Sequence, residues 1–434
     1  MIRHLNSSHP DFDRALTSLL ESTKVDRFDV SETVKQIIED VQIRGDKAVV
    51  ELTNRLDGRS AEDITDLIVD KSRLEQAFNG LDPLVADALV LSEERIRKYH
   101  EQQLKVGAAS WDFTDSLGNK LGQRVHPMSR VGLYAPGGKA SYPSTILMTA
   151  IPARVAGVEE LILCVPMPKN EENEVVLAAA WLSKVDHVVS IGGAQAIAAM
   201  AYGTESIPSV NKIVGPGNVY VATAKEMVFG DVGIDMIAGP SEVVIVADES
   251  ADVECVISDM LAQAEHDEMA QAITISVSQE LLSAIEIRLP DIMTNKPRGE
   301  IIRKSLSDRG ALIKVRNLSE AFRIVDRIAP EHLQLALINA REYLDQIKWA
   351  GAIFLGVDTA EVVGDYTAGP SHVLPTSGTA KFASPLGVYD FQVRSSVIEC
   401  SAEGSVHLNR AATIIADAEG LKAHAESANL RAKG

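Results

Sequence analysis

The stretch ELILCVPMPKNEENEVVLAAAWLSKVDHVVSIGG, residues 160–193, contains two short apolar runs with a longer apolar segment between them. The runs at 160–166 and 187–193 have the length of buried strands, whereas the segment at 174–185 is long enough for a helix. Strands that alternate with helices in this way form βαβ units, in which the strands lie parallel in one sheet. The stretch therefore predicts an α/β fold with a parallel sheet.

The same alternation extends along the chain in both directions. Strands are predicted at 129–136 and 212–217, and helices at 142–158, 194–204 and 218–230. Ligands of such sheets bind beyond the carboxyl ends of the strands, where glycine backbone and helix N-termini can meet phosphate. Glycines cluster at these ends, namely Gly137, Gly138, Gly192, Gly193, Gly215 and Gly217. No GxGxxG motif is present, so the glycines alone do not establish a dinucleotide site.

A second α/β passage begins with SEVVIVAD at 241–248. A helix is predicted at 252–268, and strands follow at 272–277, 310–315 and 351–356. The residues before 129 are predicted to be mainly amphipathic helices. The C-terminal tail after 387 is predicted to be helical, and it is too small to hold a core of its own, so it must dock on something.

The composition excludes several classes of protein. The 434 residues carry 61 acidic and 42 basic side chains, a net charge of −19, and the basic ones are scattered, so we expect no nucleic-acid partner. Three cysteines, none in a CxxC pair, indicate a reducing compartment rather than a disulfide framework. The first residues lack an apolar signal core, and no window of about 18 apolar residues exists. We therefore expect a cytoplasmic protein without a membrane partner.

Two polar stretches have the residue types of a metal site. Gln263 and His266 are three residues apart, so they share a face of the predicted helix, and both side chains can bind a divalent metal. An ordinary polar helix face is the simpler alternative. Asp365 and His372 lie in a loop rich in glycine and proline, which is typical of sites carried by a rigid scaffold. Ordinary turn chemistry would explain the same residues.

Two further stretches pair a glutamate with a histidine. Glu419 and His424 are five residues apart, and locally they indicate a solvated helix. Pro330 precedes Glu331 and His332, so the carboxylate could simply suit the positive end of a helix that starts at the proline. Alternatively, His332 titrates near neutral pH and can accept a proton, while Glu331 acts on another proton, such as that of a water.

Taken together, these stretches resemble the histidinol dehydrogenase family, in the same order and from about residue 30 to about residue 430. The motifs that carry the resemblance are GLYAPGGKASYPSTILM, SIGGAQAIAA, VGPGNVYV, IDMIAGPSEV, QAEH, PEHL, GDYTAGPSHVLPT and AHAESANLR. The resemblance implies oxidation of L-histidinol to L-histidinal and then to L-histidine, with two NAD+ used in turn. These are the last two steps of histidine biosynthesis.

The resemblance also implies a zinc ion in each active site and a domain-swapped homodimer in which the C-terminal tail reaches the partner subunit. By motif match, the zinc ligands would be Gln263, His266, Asp365 and His424. The substrate would contact Ser241, Gln263, His266, His332, Asp365, Glu419 and His424. NAD would contact Tyr134, Gln195 and Asn218.

The resemblance assigns two catalytic roles. His332 would be the general base for the alcohol, and Glu331 would activate the water that hydrates the aldehyde. Aldehyde oxidation would then need no cysteine nucleophile. Two positions depart from the family pattern: Ser371 stands where asparagine is expected, and Val393 stands where lysine is common. Neither is an implied ligand.

The predicted fold is two Rossmann-like, incomplete doubly wound α/β domains with small helical segments at both ends. The expected division is a helical arm at 1–28, a zinc and substrate domain at 29–133 with 243–386, an NAD-side domain at 134–242, and a tail at 387–434.

Three other functions fit parts of this pattern. A paralogue of the same fold could oxidise another small alcohol, such as a sulfonated diol, but retention of Glu419 and His424 favours histidinol. A zinc hydrolase could use the same ligands to activate water, but it would not need a second α/β half with glycine turns at several strand ends. A non-catalytic nucleotide-binding module would need neither four metal ligands nor a base.

Overall fold

The computed structural model describes residues 2–21, 28–107, 109–137, 142–294 and 296–432. These residues form two six-stranded sheets, a small three-stranded antiparallel sheet and the helices packed on them. Within the described ranges, no helix combines the length and apolar character needed to cross a membrane. The predicted α/β class with parallel sheets is confirmed.

The strands are β1 Arg3–Asn6, β2 Ile68–Val69, β3 Trp111–Thr114, β4 Lys120–Pro127, β5 Arg130–Tyr134, β6 Glu160–Cys164, β7 His187–Val189, β8 Lys212–Val214, β9 Gly233–Ile234, β10 Glu242–Ala247, β11 Gln271–Ser276, β12 Ala311–Lys314, β13 His332–Ala336, β14 Ala352–Leu355 and β15 Gln392–Glu399.

The helices are α1 Phe12–Glu21, α2 Phe28–Arg44, α3 Asp46–Asp57, α4 Lys71–Asn79, α5 Pro83–Gly107, α6 Pro143–Ala156, α7 Glu174–Leu182, α8 Gly193–Tyr202, α9 Val219–Val228, α10 Val253–Ala264, α11 Gln279–Met293, α12 Gly299–Arg309, α13 Leu318–Ile328, α14 Val362–Tyr366, α15 Ala402–Ala418 and α16 Lys422–Ala432. Short 3-10 helices lie at Ile64–Leu67, Pro168–Asn170, Ala340–Gln346, Thr379–Lys381 and Val388–Phe391.

The first large sheet, here called sheet 1, has the strand order β2-β7-β6-β5-β8-β9. Its strands are parallel except for β2, which pairs antiparallel with β7. The chain passes from β5 outward through β6 to β7, and then crosses back to β8 on the other side of β5. The strand order therefore reverses between β5 and β8, and such a point opens a ligand crevice at the carboxyl ends of the strands.

The second large sheet, sheet 2, has the strand order β1-β12-β11-β10-β13-β14, and all its pairings are parallel. Its first strand differs from the expected helical arm, because Arg3–Asn6 pairs with Ala311–Lys314 at the edge of the sheet. Within residues 2–21 of this segment the helical part is α1, and Leu16 and Leu19 lie in the core of sheet 2. Met1 and residues 22–27 of the arm lie outside the described residues.

The helices between residues 28 and 107 pack on sheet 1. Helices α2 and α3 lie against α8, α4 lies against α7, and α5 lies against α6. Their apolar side chains complete the two cores on the faces of this sheet. This packing differs from the expected grouping of 29–133 with 243–386. The physical reason is that an amphipathic pattern reveals an apolar face but not which sheet will cover it.

The small sheet joins the C-terminal tail to the middle of the chain. Strand β15 pairs antiparallel with β4 along its whole length, and β4 pairs with β3. The tail therefore begins with the short 3-10 helix Val388–Phe391 and strand β15, and the packed pair α15 and α16 follows them. Ile398, Ile414 and Leu430 of the tail are each at least 70% exposed in this single chain. Residues 433 and 434 lie outside the described part.

Candidate active site

His332 lies at the amino end of β13, a strand whose five residues are all buried between β10 and β14. Its Nδ1 is 3.2 Å from the carbonyl oxygen of Glu242, so we assign the ring proton to Nδ1 and the lone pair to Nε2. Burial lowers the pKa of His332 to about 4, because desolvation disfavours the imidazolium ion. His332 is therefore placed to accept a proton at Nε2.

The alternative in which Pro330 starts a helix is wrong. Helix α13 ends at Ile328 before the proline, Ala329 adopts a left-handed conformation with φ +51°, and the chain then enters β13. The apolar run after Pro330 is a central buried strand, which can be as uniformly apolar as a buried helix.

Glu331 lies beside His332 and is also buried. Its Oε2 accepts a hydrogen bond of 2.9 Å from the backbone N–H of Glu242. Burial raises the pKa of Glu331 well above its ordinary value, and the charges of Glu242, Asp365 and Glu361 act in the same direction. The adjacent acid and base are thus both desolvated, and their pKa values move in opposite directions.

The segment that carries Asp365 faces His332. Asp365 lies in α14, and its Oδ1 is 3.9 Å from Nε2 of His332. Its Oδ2 is 4.0 Å from Nε2 of His266, which follows the last turn of α10. Nδ1 of His372 is 3.1 Å from the Asp365 carbonyl oxygen, and Nε2 of His372 is 3.2 Å from the Thr145 hydroxyl on α6. His372 therefore links the sheet 1 side of the molecule to the candidate site.

Gln263 lies in the last turn of α10 and is 1% exposed. Neither its side-chain oxygen nor its nitrogen has a hydrogen-bond partner among the described residues. The backbone N–H of His266 donates to the Gln263 carbonyl oxygen, so the two residues occupy the same turn. An unsatisfied buried amide is costly, so a hydrogen-bonding or coordinating group from outside the described residues would stabilise this side chain.

Glu361 is a further member of the cluster that the sequence reasoning missed. Its Oε1 lies 3.4 Å from Nε2 of His332, and no hydrogen bond satisfies that oxygen within the described chain. The candidate ligand atoms of His332, Glu361 and Asp365 lie within 4.8 Å of one another. Burial raises the pKa of Glu361 to about 8, and the charges of Asp365 and Asp259 add to the effect. Its position four residues before Asp365, one helical turn, was the available sequence signal.

The cluster concentrates negative charge in a buried place. Glu331, Glu361 and Asp365 form ion pairs only with histidines, and within the described ranges none of their pairs involves lysine or arginine. Asp259 nearby accepts a hydrogen bond of 2.8 Å from Gln334. Several buried carboxylates without a basic partner favour the binding of a cation.

Ser241 comes immediately before β10 and is half-buried, and its carbonyl oxygen accepts the backbone N–H of Gln271. The cluster thus lies at the amino ends of β10 and β13. The C-terminus of α10, which carries Gln263 and is followed by His266, lies at the same end of the sheet. The expectation that ligands lie at carboxyl ends of strands does not describe this half of the molecule.

Tyr134 and Gln195 lie at the carboxyl edge of sheet 1. Tyr134 ends β5, and its hydroxyl accepts a 3.1 Å hydrogen bond from the backbone N–H of Gly193. Burial raises the pKa of Tyr134 to about 12, so the phenol stays protonated. Gln195 lies in the first turn of α8, is 1% exposed, and has no described partner for its Oε1.

Asn218 caps α9, just after β8. Its Oδ1 accepts hydrogen bonds from the backbone N–H groups of Tyr220 at 3.1 Å and Val221 at 3.2 Å. Asn218 and Tyr134 thus lie at the carboxyl ends of the neighbouring strands β8 and β5. The structure therefore brings the three predicted cofactor residues to one edge of one sheet.

Glu419 and His424 behave differently from the other predicted residues. Glu419 ends α15, His424 lies in α16, and both are exposed. In the part of the chain that the structure describes, no hydrogen bond or ion pair joins either residue to His266 or Asp365. A single chain therefore does not bring them to the cluster.

Comparison with known proteins identifies the family. A family model described as histidinol dehydrogenase matches residues 20–432 of the chain. The chain belongs to the histidinol dehydrogenase family. It is 53% identical over 430 residues to the histidinol dehydrogenase of Pseudomonas aeruginosa, covering 99% of this chain and 97% of that protein. It is 50% identical over 434 residues to that of Burkholderia pseudomallei, covering 100% and 98% of the two chains.

A crystal structure of histidinol dehydrogenase from Elizabethkingia anophelis matches with a TM-score of 0.93. The two chains are 30% identical, and the match covers 100% of this chain and 98% of the other. The family resemblance inferred from the motifs is therefore confirmed.

The two departures from the family pattern lie outside the proposed ligand set. The hydroxyl of Ser371 donates to the carbonyl oxygen of Met148 at 3.1 Å and accepts the backbone N–H of Val373. Val393 is half-exposed in β15, opposite His126 of β4. Ser371 is therefore accommodated by backbone hydrogen bonds next to His372.

Proposed function

We propose that this protein oxidises L-histidinol to L-histidinal and then to L-histidine, the last two steps of histidine biosynthesis. The first step transfers one hydride to NAD+ and releases one proton. The second step consumes one water, transfers a second hydride to another NAD+ and releases two protons, one of them from the carboxylic acid that forms. The observation that carries the proposal is the buried Glu331–His332 pair facing a carboxylate cluster, in a chain that belongs to the histidinol dehydrogenase family.

His332 acts as the general base in the first step. Its Nε2 carries the lone pair, so it takes the hydroxyl proton as the hydride leaves the carbon. Glu331 acts in the second step, in which water must add to the aldehyde before the second hydride can leave. Burial raises the pKa of the Glu331 carboxylate, so its ionised form is a stronger base for that water than an ordinary surface glutamate.

A zinc ion fits the residues of the cluster. Gln263, His266 and Asp365 supply an amide, an imidazole and a carboxylate, which suit a borderline cation with nitrogen and oxygen ligands. The unsatisfied side chain of Gln263 supports this assignment. When bound, zinc would supply the positive charge that anchors the imidazole and amine of the substrate. The proposed substrate contacts are Ser241, Gln263, His266, His332, Asp365, Glu419 and His424.

NAD is proposed to lie in the crevice between β5 and β8, in contact with Tyr134, Gln195 and Asn218. The reversal of strand order at this point and the buried free oxygen of Gln195 support the location. An oxidised nicotinamide that is bound there would accept the hydride.

We further propose a homodimer in which the tail completes the partner's site. Exposed apolar side chains on the tail, and the exposure of Glu419 and His424, support this arrangement. His424 of the partner subunit would be the fourth zinc ligand.

The three cysteines are free thiols, which fits the reducing cytoplasm as the compartment.

The test is to count NADH, by absorbance at 340 nm, per L-histidinol consumed, before and after treatment with a zinc chelator. We expect two NADH per histidinol, loss of turnover on chelation, and recovery when zinc is added back. Absence of NADH would reject histidinol as the substrate and direct the search to other small alcohols. One NADH per histidinol would reject the second oxidation, and full activity after complete metal removal would reject the zinc site.

A further inference from the structure

Glu242 is a buried acidic residue for which the proposed reaction has no role. It is the first residue of β10, is 4% exposed, and directly follows Ser241. Strands β10 and β13 pair with Val243 opposite His332, so Glu242 lies opposite Glu331, one residue earlier on both strands. Two buried acidic side chains therefore lie side by side at the amino ends of neighbouring strands.

The backbone of Glu242 contacts both proposed catalytic residues. Its N–H donates to Oε2 of Glu331 at 2.9 Å, and its carbonyl oxygen is 3.2 Å from Nδ1 of His332. The first hydrogen bond orients the Glu331 carboxylate, and the second determines which ring nitrogen of His332 keeps the proton. A rotation of this one peptide segment would disturb both groups.

The side chain of Glu242 also accepts hydrogen bonds from backbone groups near the two catalytic residues. Its Oε1 accepts the backbone N–H of Glu331 at 3.3 Å and that of Ser377 at 2.9 Å. The segment that contains Ser377 is also bonded to the loop before β10, because the hydroxyl of the neighbouring Thr376 accepts the N–H of Gly239 at 2.6 Å. The carboxylate of Glu242 thus joins β13 to the loop that covers the start of β10.

Stability alone does not account for this arrangement. Burial raises the pKa of Glu242 to about 7, and the charge of Glu242 adds to the cost of ionising Glu331. Amide or apolar side chains could fill the space without that cost. A carboxylate, in contrast, offers two oxygens that can accept several N–H groups at once.

We propose that Glu242 is a positioning residue for the proposed reaction, because it sets the orientation of Glu331 and the ring of His332. The inference rests on the proposed function, since those two residues are its catalytic groups. It predicts that loss of the Glu242 side chain slows the chemical steps without weakening the binding of histidinol, NAD+ or zinc.

The test compares Glu242→Ala and Glu242→Gln with the wild-type enzyme in its zinc-bound form. Misplacement of reacting groups by about 1 Å can cost about 100-fold in rate, so we expect kcat of Glu242→Ala to fall by about 100-fold. The KM values for histidinol and NAD+ and the zinc content should not change. Glu242→Gln keeps an acceptor oxygen, so its kcat should lie between those of Glu242→Ala and the wild-type enzyme.

Glu320→Ala is the matched control, because Glu320 is also a buried glutamate that accepts a backbone N–H, from Arg316 at 2.9 Å, but it lies in α13 away from the cluster. It should lose stability and keep kcat. If Glu242→Ala does not fold, Glu242→Gln alone must show the lower kcat at unchanged KM. Wild-type kcat in a folded Glu242 variant, or an equal loss in Glu320→Ala, would overturn the inference. An inactive wild-type enzyme would overturn the proposed function and this inference with it.

Discussion

At the scale of single residues, burial decides what the side chains of the candidate site can do. His332 and Glu331 are neighbours in sequence and are both buried, and desolvation disfavours the charged form of each. The pKa of the histidine therefore falls and that of the glutamate rises. The sequence displays the pair, but the direction and the cause of both shifts depend on the surrounding strands.

His332→Asn should abolish histidinol oxidation almost completely. Loss of a general base costs about 100-fold to 10,000-fold, and asparagine fills similar space without a titratable nitrogen. Zinc content should remain at the wild-type level, as measured by atomic absorption. Normal turnover by the variant would remove His332 from the role of base.

Glu331→Gln provides the complementary measurement. Because Glu331 is proposed to act on the water of the second step, the variant should lose more activity with L-histidinal than with L-histidinol. Initial rates of NADH formation from each substrate, supplied separately, make the comparison. An equal loss with both substrates would contradict the assignment of Glu331 to the water.

Residue types in motifs predicted much of the cluster, and two of its members escaped prediction. The structure brings His332 and His266 close to Asp365, as the motif match implied. Glu361 was missed although it lies one helical turn before Asp365, and Glu242 was missed because its sequence neighbours give no sign of its role. Their proximity to His332 arises only when α14 and β10 pack beside β13.

At the scale of secondary-structure elements, a buried ion pair supports the turn that ends β8. Nζ of Lys225 donates to the carbonyl oxygen of Gly215 at 2.8 Å and pairs with Asp235, whose Oδ2 accepts the N–H of Gly215 at 2.8 Å. Gly215 has φ +118°, and a Cβ there would lie 2.0 Å from the carbonyl oxygen of Tyr134. The Lys225–Asp235 pair thus hydrogen-bonds both the N–H and the carbonyl oxygen of Gly215, which packs against Tyr134 at the end of β5.

Lys225→Met should weaken both folding and cofactor binding. Removal of one partner from a buried ion pair costs about 3–5 kcal/mol of stability, since Asp235 would remain buried without a cation. The released turn should also raise KM for NAD+ while KM for histidinol stays constant. Urea unfolding and steady-state kinetics measure the two effects.

Lys212→Met is the matched control for this prediction. Lys212 also lies in sheet 1, and its Nζ is 3.4 Å from the carboxylate of Asp390, whereas the hydrogen bonds of Gly215 among the described residues go to Lys225 and Asp235. It should reduce stability without changing KM for NAD+. A Lys225 variant with reduced stability and an unchanged KM would show that the pair only stabilises the fold.

At the scale of the whole molecule, the exposed tail raises the question of which subunit completes the site. If His424 acts in the partner's site, a dimer of one His332→Asn chain and one His424→Ala chain contains one intact site. That site combines the core of the second chain with the tail of the first. If each chain used its own tail, both sites of the mixed dimer would be defective.

Co-expression of the two inactive variants therefore tests the proposed dimer. Random pairing makes half of the dimers mixed, and each mixed dimer carries one good site of two, so activity should recover to about a quarter of the wild-type level. Each variant expressed alone is the control, and it should be nearly inactive. No recovery in verified mixed dimers would contradict the exchange of tails.

The sequence by itself determined the α/β class, the family and most residue types of the candidate site. These properties depend on local patterns. The periodicity of apolar residues indicates which side of one element is buried, and short motifs contain the residue types that a site requires. Only the tertiary structure decided that β1 joins sheet 2, that the helices of 28–107 cover sheet 1, and that Glu242 lies opposite Glu331. Such pairings join residues far apart in the chain, as Arg3 and Ala311 are, and local propensity contains no information about them.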